Sequence, residues 1–314
     1  MKTHALSAAC AIAVAIGLTA CGQDTPAPAA TTTPTAAKPA PATPVAQPLK
    51  AEVYNPGANG IFPVSSTLVT GAKDAVLIDA QFSTVDAQKL VDLIRASGKH
   101  LTTIYISHGD PDFYFGLEPL VAAFPDAKVV ATPQTIAHIQ ETSAGKLQFW
   151  GPKLGAGAPR RIVVPQPIAG SSIDLEGNAL EIVGLDGPSP DRSVVWIPSI
   201  STVAGGIPVF AGEHVWMADT QTPQSHADWI ATLDRIVELK PEAVIPGHFK
   251  PGSPQNLEAV RFTADYIRAF DEETAKAKDS TPLVAAMKQR YPALGGESSL
   301  ELSAKVAKGE MKWP

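Results

Sequence analysis

His108, Asp110 and Asp112 stand two residues apart in Ser107-His108-Gly109-Asp110-Pro111-Asp112-Phe113-Tyr114-Phe115-Gly116, directly after the apolar run 101–106. An imidazole and two carboxylates just past a strand end can ligate a divalent cation. A carboxylate beside a bound water can also orient it and take its proton. Asp-Pro-Asp is good turn chemistry too, so both carboxylates have a plain structural use. Which use applies depends on the elements that hold the loop.

The run 101–106 reads as a buried strand. Before it, β-type runs at 51–54, 65–70 and 75–79 are separated by turn residues, and 84–97 carries Val85, Leu90, Leu93 and Ile94 at helical spacing with Gly98 as a stop. After the loop the pattern predicts a helix at 117–124, a strand at 128–131 and a helix from Pro133 to about Thr142. The stretch 147–158, with Trp150 and three glycines, reads as a long surface loop. A second strand-rich half follows, with runs at 161–164, 172–175, 180–184, 193–197, 202–204 and 214–218. Next come a helix at 226–239, a strand at 243–245 ending in Pro246-Gly247-His248, helices at 254–276 and 282–290, and an irregular tail. This order is compatible with two facing sheets with helices outside, a four-layer αββα sandwich spanning one domain, 51–314, with a helical extension at its C-terminal end.

Residues 1–20 are a short positive start followed by small and apolar residues, too short to span a bilayer, ending at Leu18-Thr19-Ala20-Cys21. This resembles a bacterial lipoprotein signal. The resemblance implies cleavage before Cys21, acylation of that cysteine, and a lipid-anchored place in the cell envelope, at the outer membrane or periplasmic face. The segment 21–50 is rich in Ala, Pro and Thr and reads as an extended tether. Cys10 and Cys21 are the two cysteines, so the domain beyond the tether has neither disulfide nor thiol nucleophile, and Cys-ligated zinc is excluded. With 18% charged residues and a net charge of -6, the chain has no basic surplus for nucleic acid.

The motif around His108 resembles the (Ser/Thr)-His-x-His-x-Asp-His-x-x-Gly loop of the metallo-β-lactamase superfamily. Ser107, His108, Asp112 and Gly116 match; Asp110 and Phe113 stand where that loop has histidines. Val76-Leu77-Ile78-Asp79 is similar to the family strand that ends in an aspartate near the site, and Val244-Ile245-Pro246-Gly247-His248 to the late strand that presents the last histidine. The resemblance implies the αββα fold, metal-dependent hydrolysis of a small-molecule ester, lactone or related bond outside the cytoplasm, and His108, Asp112 and His248 as surviving ligands. Asp110 would replace one histidine, and Asp186 or Asp191 another, because the family's Gly-His-Thr is missing from 185–193. Asp79 would be a buried partner that orients the ligands. Gly205-Gly206 occupies the position of the metal-bridging carboxylate, so a two-zinc site is not expected. What remains suits one divalent ion (Zn, Mn or Fe) between His108, Asp110, Asp112 and His248, with Asp112 or Asp110 handling the water proton. The alternative is a non-catalytic ligand-binding lipoprotein that has lost its metal. His138, His214 and His226 lack motif support and read as helix-face or surface residues, and Tyr114 as packing. Substrate and oligomeric state are not legible.

Overall fold

The computed structural model describes residues 48–313; the signal segment, Cys21 and nearly all of the tether lie outside them. The strands are β1 (Lys50–Tyr54), β2 (Ser66–Thr70), β3 (Asp74–Ile78), β4 (His100–Ile106), β5 (Lys128–Ala131), β6 (Gln166–Pro167), β7 (Ser172–Leu175), β8 (Asn178–Val183), β9 (Val194–Ile197), β10 (Thr202–Ala204), β11 (Phe210–Ala211), β12 (Ala243–Val244) and β13 (His248–Phe249). The helices are α1 (Thr84–Ser97), α2 (Pro111–Tyr114), α3 (Leu117–Ala123), α4 (Pro133–Leu154), α5 (Pro223–Glu238), α6 (Leu257–Lys276), α7 (Ser280–Arg290) and α8 (Glu297–Ala307).

β1 to β6 form one sheet in chain order, and a second runs β12-β10-β9-β8-β7. β3, β4 and β5 are parallel neighbours, so the links between them must cross over, and α1, α2 and α3 are those links. Leu101, Ile104, Tyr105 and Ile106 of β4 are buried, as a central strand covered on both faces requires. Helices α1 and α3 pack on each other, as do α5 and α6. The mixed α/β arrangement is the expected sandwich. α1 starts where the Ser83 side chain accepts the Asp86 N–H and stops at Gly98 in the left-handed region, burying Ala87, Leu90, Val91 and Ile94. No helix among the described residues is long and apolar enough to cross a membrane.

Three expectations need correction. The stretch 147–158 is not a surface loop: α4 runs on to Leu154, with Trp150 and Lys146 on its buried face. The glycines and Pro152 suggested a break, but Pro152 sits in the last turn, where little ladder remains to lose. Residues 214–218 are buried yet outside any strand, and 161–164 also lie outside one; the short ladders there are β11 and β6. The tail is not irregular, because α8 buries Leu300, Ala304 and Val306.

Candidate functional site

The loop after β4 is anchored by a buried aspartate. Asp79 sits at φ 66°. Its Oδ1 accepts the Ser107 N–H at 2.8 Å and its Oδ2 the Ser107 hydroxyl at 2.6 Å, while Ser107 Oγ accepts the Gly206 N–H at 2.6 Å. Burial pushes the Asp79 carboxyl up to about 7, against the pull of the Ser107 hydrogen bonds and with the Asp112 charge adding to the rise. Asp79 therefore orients the loop from behind. Gly116 ends the motif because a Cβ there would fall 1.9 Å from the Ala80 carbonyl oxygen.

His108, Asp110, Asp112 and His248 come together as two separate imidazole–carboxylate pairs. His108 Nε2 lies 3.0 Å from Asp110 Oδ2, with its Nδ1 3.1 Å from the Asp191 carbonyl oxygen. His248 Nε2 lies 3.0 Å from Asp112 Oδ2. Phe113 stands edge-to-face to both rings, 5.3 Å from His108 and 5.7 Å from His248, and wedges the pairs apart. His248 also stacks on Phe210 at 4.9 Å.

The Lys146 ammonium from α4 bonds directly to Asp110 Oδ1, and its side chain is only 2% exposed. His138, two turns earlier on the same helix, reaches the same oxygen at 3.5 Å. Burial alone would raise the Asp110 carboxyl, but the Lys146 and His108 charges outweigh it and hold the carboxyl well below the usual range. Lys146 is raised in turn: burial works against its charge, while Asp110 and Asp219 favour it. Asp219 is the third carboxylate here. Both its oxygens accept indole N–H groups, from Trp216 and, at 2.7 Å, from Trp313.

Two cavities meet at this cluster and share Asp110 and Asp219 in their walls. One is an aromatic cleft of ≈ 40 Å³ between Phe62, Trp150, Trp216 and Trp313, with Asp112 and His248 among its lining residues. The other is a polar chamber of ≈ 190 Å³ lined by His108, His138, Ser189, Asp191, Arg192 and hydroxyls of α5 and the turn before it.

The donors do not fit a metal centre. Asp110 is committed to Lys146, Asp112 and His248 face each other, and Phe113 fills a ligand position with a hydrocarbon ring. A side chain at Gly206 would put its Cβ 2.2 Å from the Ser193 carbonyl oxygen, so no carboxylate can project there. Among the described residues no group of three or more His, Cys, Asp or Glu is placed to hold an ion. The arrangement thus departs from the expectation of one divalent ion between His108, Asp110, Asp112 and His248. Asp186 is not at the site at all: its side chain is 78% exposed and pairs with Arg235 at 2.8 Å. Asp191 contributes its main-chain carbonyl to His108, and it also lines the chamber.

Lys146, Arg192 and Asp219 escaped sequence reasoning, and His138, read there as a helix-face or surface residue, reaches Asp110 instead. Lys146 and His138 are eight residues apart on a helix whose sequence pattern breaks after Thr142, where glycines follow. Extending α4 through Trp150 puts both on one face. Asp219 and Arg192 lie in segments without a periodic pattern.

A comparison with curated proteins finds no match. Among solved structures, the chain is similar to a metallo-β-lactamase from Pontibacter korlensis, with a TM-score of 0.53 and 18% identity over 72% of this chain and 97% of that one. It is also similar to a metallo-β-lactamase family protein from Thermus thermophilus, with a TM-score of 0.56 and 16% identity over 83% and 91% of the two chains. The family model described as the metallo-β-lactamase superfamily matches residues 59–248, which take in every strand of the two sheets except β1 and every residue of the two imidazole–carboxylate pairs. The chain belongs to the metallo-β-lactamase superfamily.

Proposed function

We propose that this member of the superfamily binds a small molecule at the His108–Asp110 and Asp112–His248 cluster and does so without a metal. The observation that carries the reading is the buried Lys146 ammonium on the Asp110 carboxylate. A lysine there supplies a fixed positive charge inside the site, and an incoming cation would have to displace it from a desolvated ion pair. Protein purified without chelator is expected to hold well under one equivalent of any transition metal, and added zinc to leave its melting temperature unchanged. One equivalent of tightly held metal would overturn the reading.

One observation favours a second reading, metal-free hydrolysis. Asp112 lies 3.0 Å from His248 Nε2 beside the aromatic cleft, and a carboxylate in that place holds an imidazole for proton transfer. Esters and lactones are the substrates to try. Turnover that persists unchanged in both His108→Ala and His248→Ala sinks the catalytic assignment.

We further propose that the protein is anchored in the cell envelope by lipid on Cys21. The supporting features are the lipoprotein-like signal before Cys21 and the Ala-, Pro- and Thr-rich tether after it. Fatty-acid labelling that Cys21→Ser abolishes is the expected result.

A further inference from the structure

The polar chamber contains a buried cation with an unused donor. Arg192 lines the chamber and is only 6% exposed, and its Nη1, shut off from water-sized space, has no hydrogen-bond partner. The guanidinium lies 4.8 Å from the ring centre of Trp229, a contact that offsets part of the cost of burying a charge. It does not supply an acceptor. An isolated buried cation is costly, and buried arginine normally spends its planar fork on a carboxylate or phosphate.

The surroundings are those of an anion cradle. Ser189 brings a hydroxyl to the same chamber and His138 an imidazole, while the Thr220 and Ser225 hydroxyls that also line it donate to the Met217 and Thr222 carbonyls. Ser225 belongs to the first turn of the sixteen-residue α5, which carries no acidic residue there, so the positive end of that helix borders the space. The carboxylates in the wall are largely spoken for. Asp110 is paired with Lys146 and His108, and both Asp219 oxygens accept indole N–H groups. Asp191 is half-exposed. A volume of ≈ 190 Å³ is roomy enough for an anionic head and a few carbon atoms.

We infer that this chamber is a binding site for a small oxyanion, a carboxylate or a phosphate monoester, held by Arg192 and completed by Ser189. The inference rests on the reading that the cluster binds a small molecule, and it names that ligand's charged end. The Arg192 guanidinium would give charge-assisted N–H···O bonds to the anion, and the Ser189 hydroxyl would donate to a remaining oxygen.

The test uses the full chain and two probes, inorganic phosphate and acetate, each against sodium chloride at equal ionic strength. Melting temperature is expected to rise saturably with at least one anion above the chloride control, and the stronger of the two identifies the head group. Arg192→Met is expected to weaken that response by about 10- to 100-fold, the loss of charge-assisted hydrogen bonds. Arg192→Lys keeps the charge without the fork, should show an intermediate loss, and carries the test if the methionine variant does not fold. A wild-type protein that both anions leave at the chloride melting temperature overturns the inference, as does an undiminished response in Arg192→Met. A zinc-dependent rise would instead overturn the metal-free reading, so the two failures are distinguishable.

Discussion

The two cavities share a partition of Asp110 and Asp219 but differ in what their outer walls allow. On the aromatic side the rings close on one another: Phe62 and Trp150 centroids are 5.2 Å apart, as are those of Trp216 and Trp313. The rings pack against one another, and space of only ≈ 40 Å³ is left for water-sized groups. On the polar side, short hydroxyl side chains and a guanidinium stacked on Trp229 cannot fill the space, and ≈ 190 Å³ remains. In the same scaffold, the side with the larger apolar groups is the tighter one. Room for a ligand comes here from short polar side chains that stop before they meet.

Three experiments would break or sharpen this contrast. The largest effect is expected from Lys146→Met, which leaves the Asp110 carboxylate buried without its ammonium and should cost about 3–5 kcal/mol of unfolding free energy by urea denaturation. Because the partition serves both cavities, loss of stability should be accompanied by loss of any ligand response. Trp313→Ala should act on one side alone. It removes one of the two indole donors to Asp219 and opens the aromatic cleft, costing about 1–2 kcal/mol, while the anion response of the polar chamber stays as in the wild type. A changed anion response would show that the two spaces act as one. The smallest effect concerns His214 beside the cleft, whose imidazole is pushed down from 6.5 to about 4 by burial. Such a group stays neutral when folded but takes up a proton when unfolded. Its contribution is complete above about pH 6.5 and is lost as the pH falls toward 4. The stability difference between wild type and His214→Gln should shrink over that window in urea titrations at stepped pH.

The fold was legible because its signals are local. The apolar run into Ser107, the helix stop at Gly98 and the Pro246-Gly247 lead into His248 each depend on a few adjacent residues. The loop between β4 and α3 was legible for the same reason. The partners of that loop were not. Lys146 reaches Asp110 across 36 positions of sequence, and Asp219 owes its place to indoles at 216 and 313. Electrostatic partnership at that range leaves no periodic trace. Two strong punctuators, Gly151 and Pro152, hid α4 because burial of Trp150 overrides their local preference. Asp186 misled in the opposite way: its place near a missing histidine suggested a role, while the backbone turns its side chain out to Arg235.

The close approach at Gly206 also bears on reversibility. A side chain can be restored by a single exchange only where the volume it needs is still free. Here the main chain occupies the volume a side chain would need, with Ser193 presenting a carbonyl oxygen 2.2 Å from where a new Cβ would start. Installing an aspartate at 206, even together with a histidine at 113, would therefore not rebuild the family's bridged pair of ions. The 193–206 hairpin would first have to shift, and the Ser107 hydroxyl that now accepts the Gly206 N–H would have to let it go.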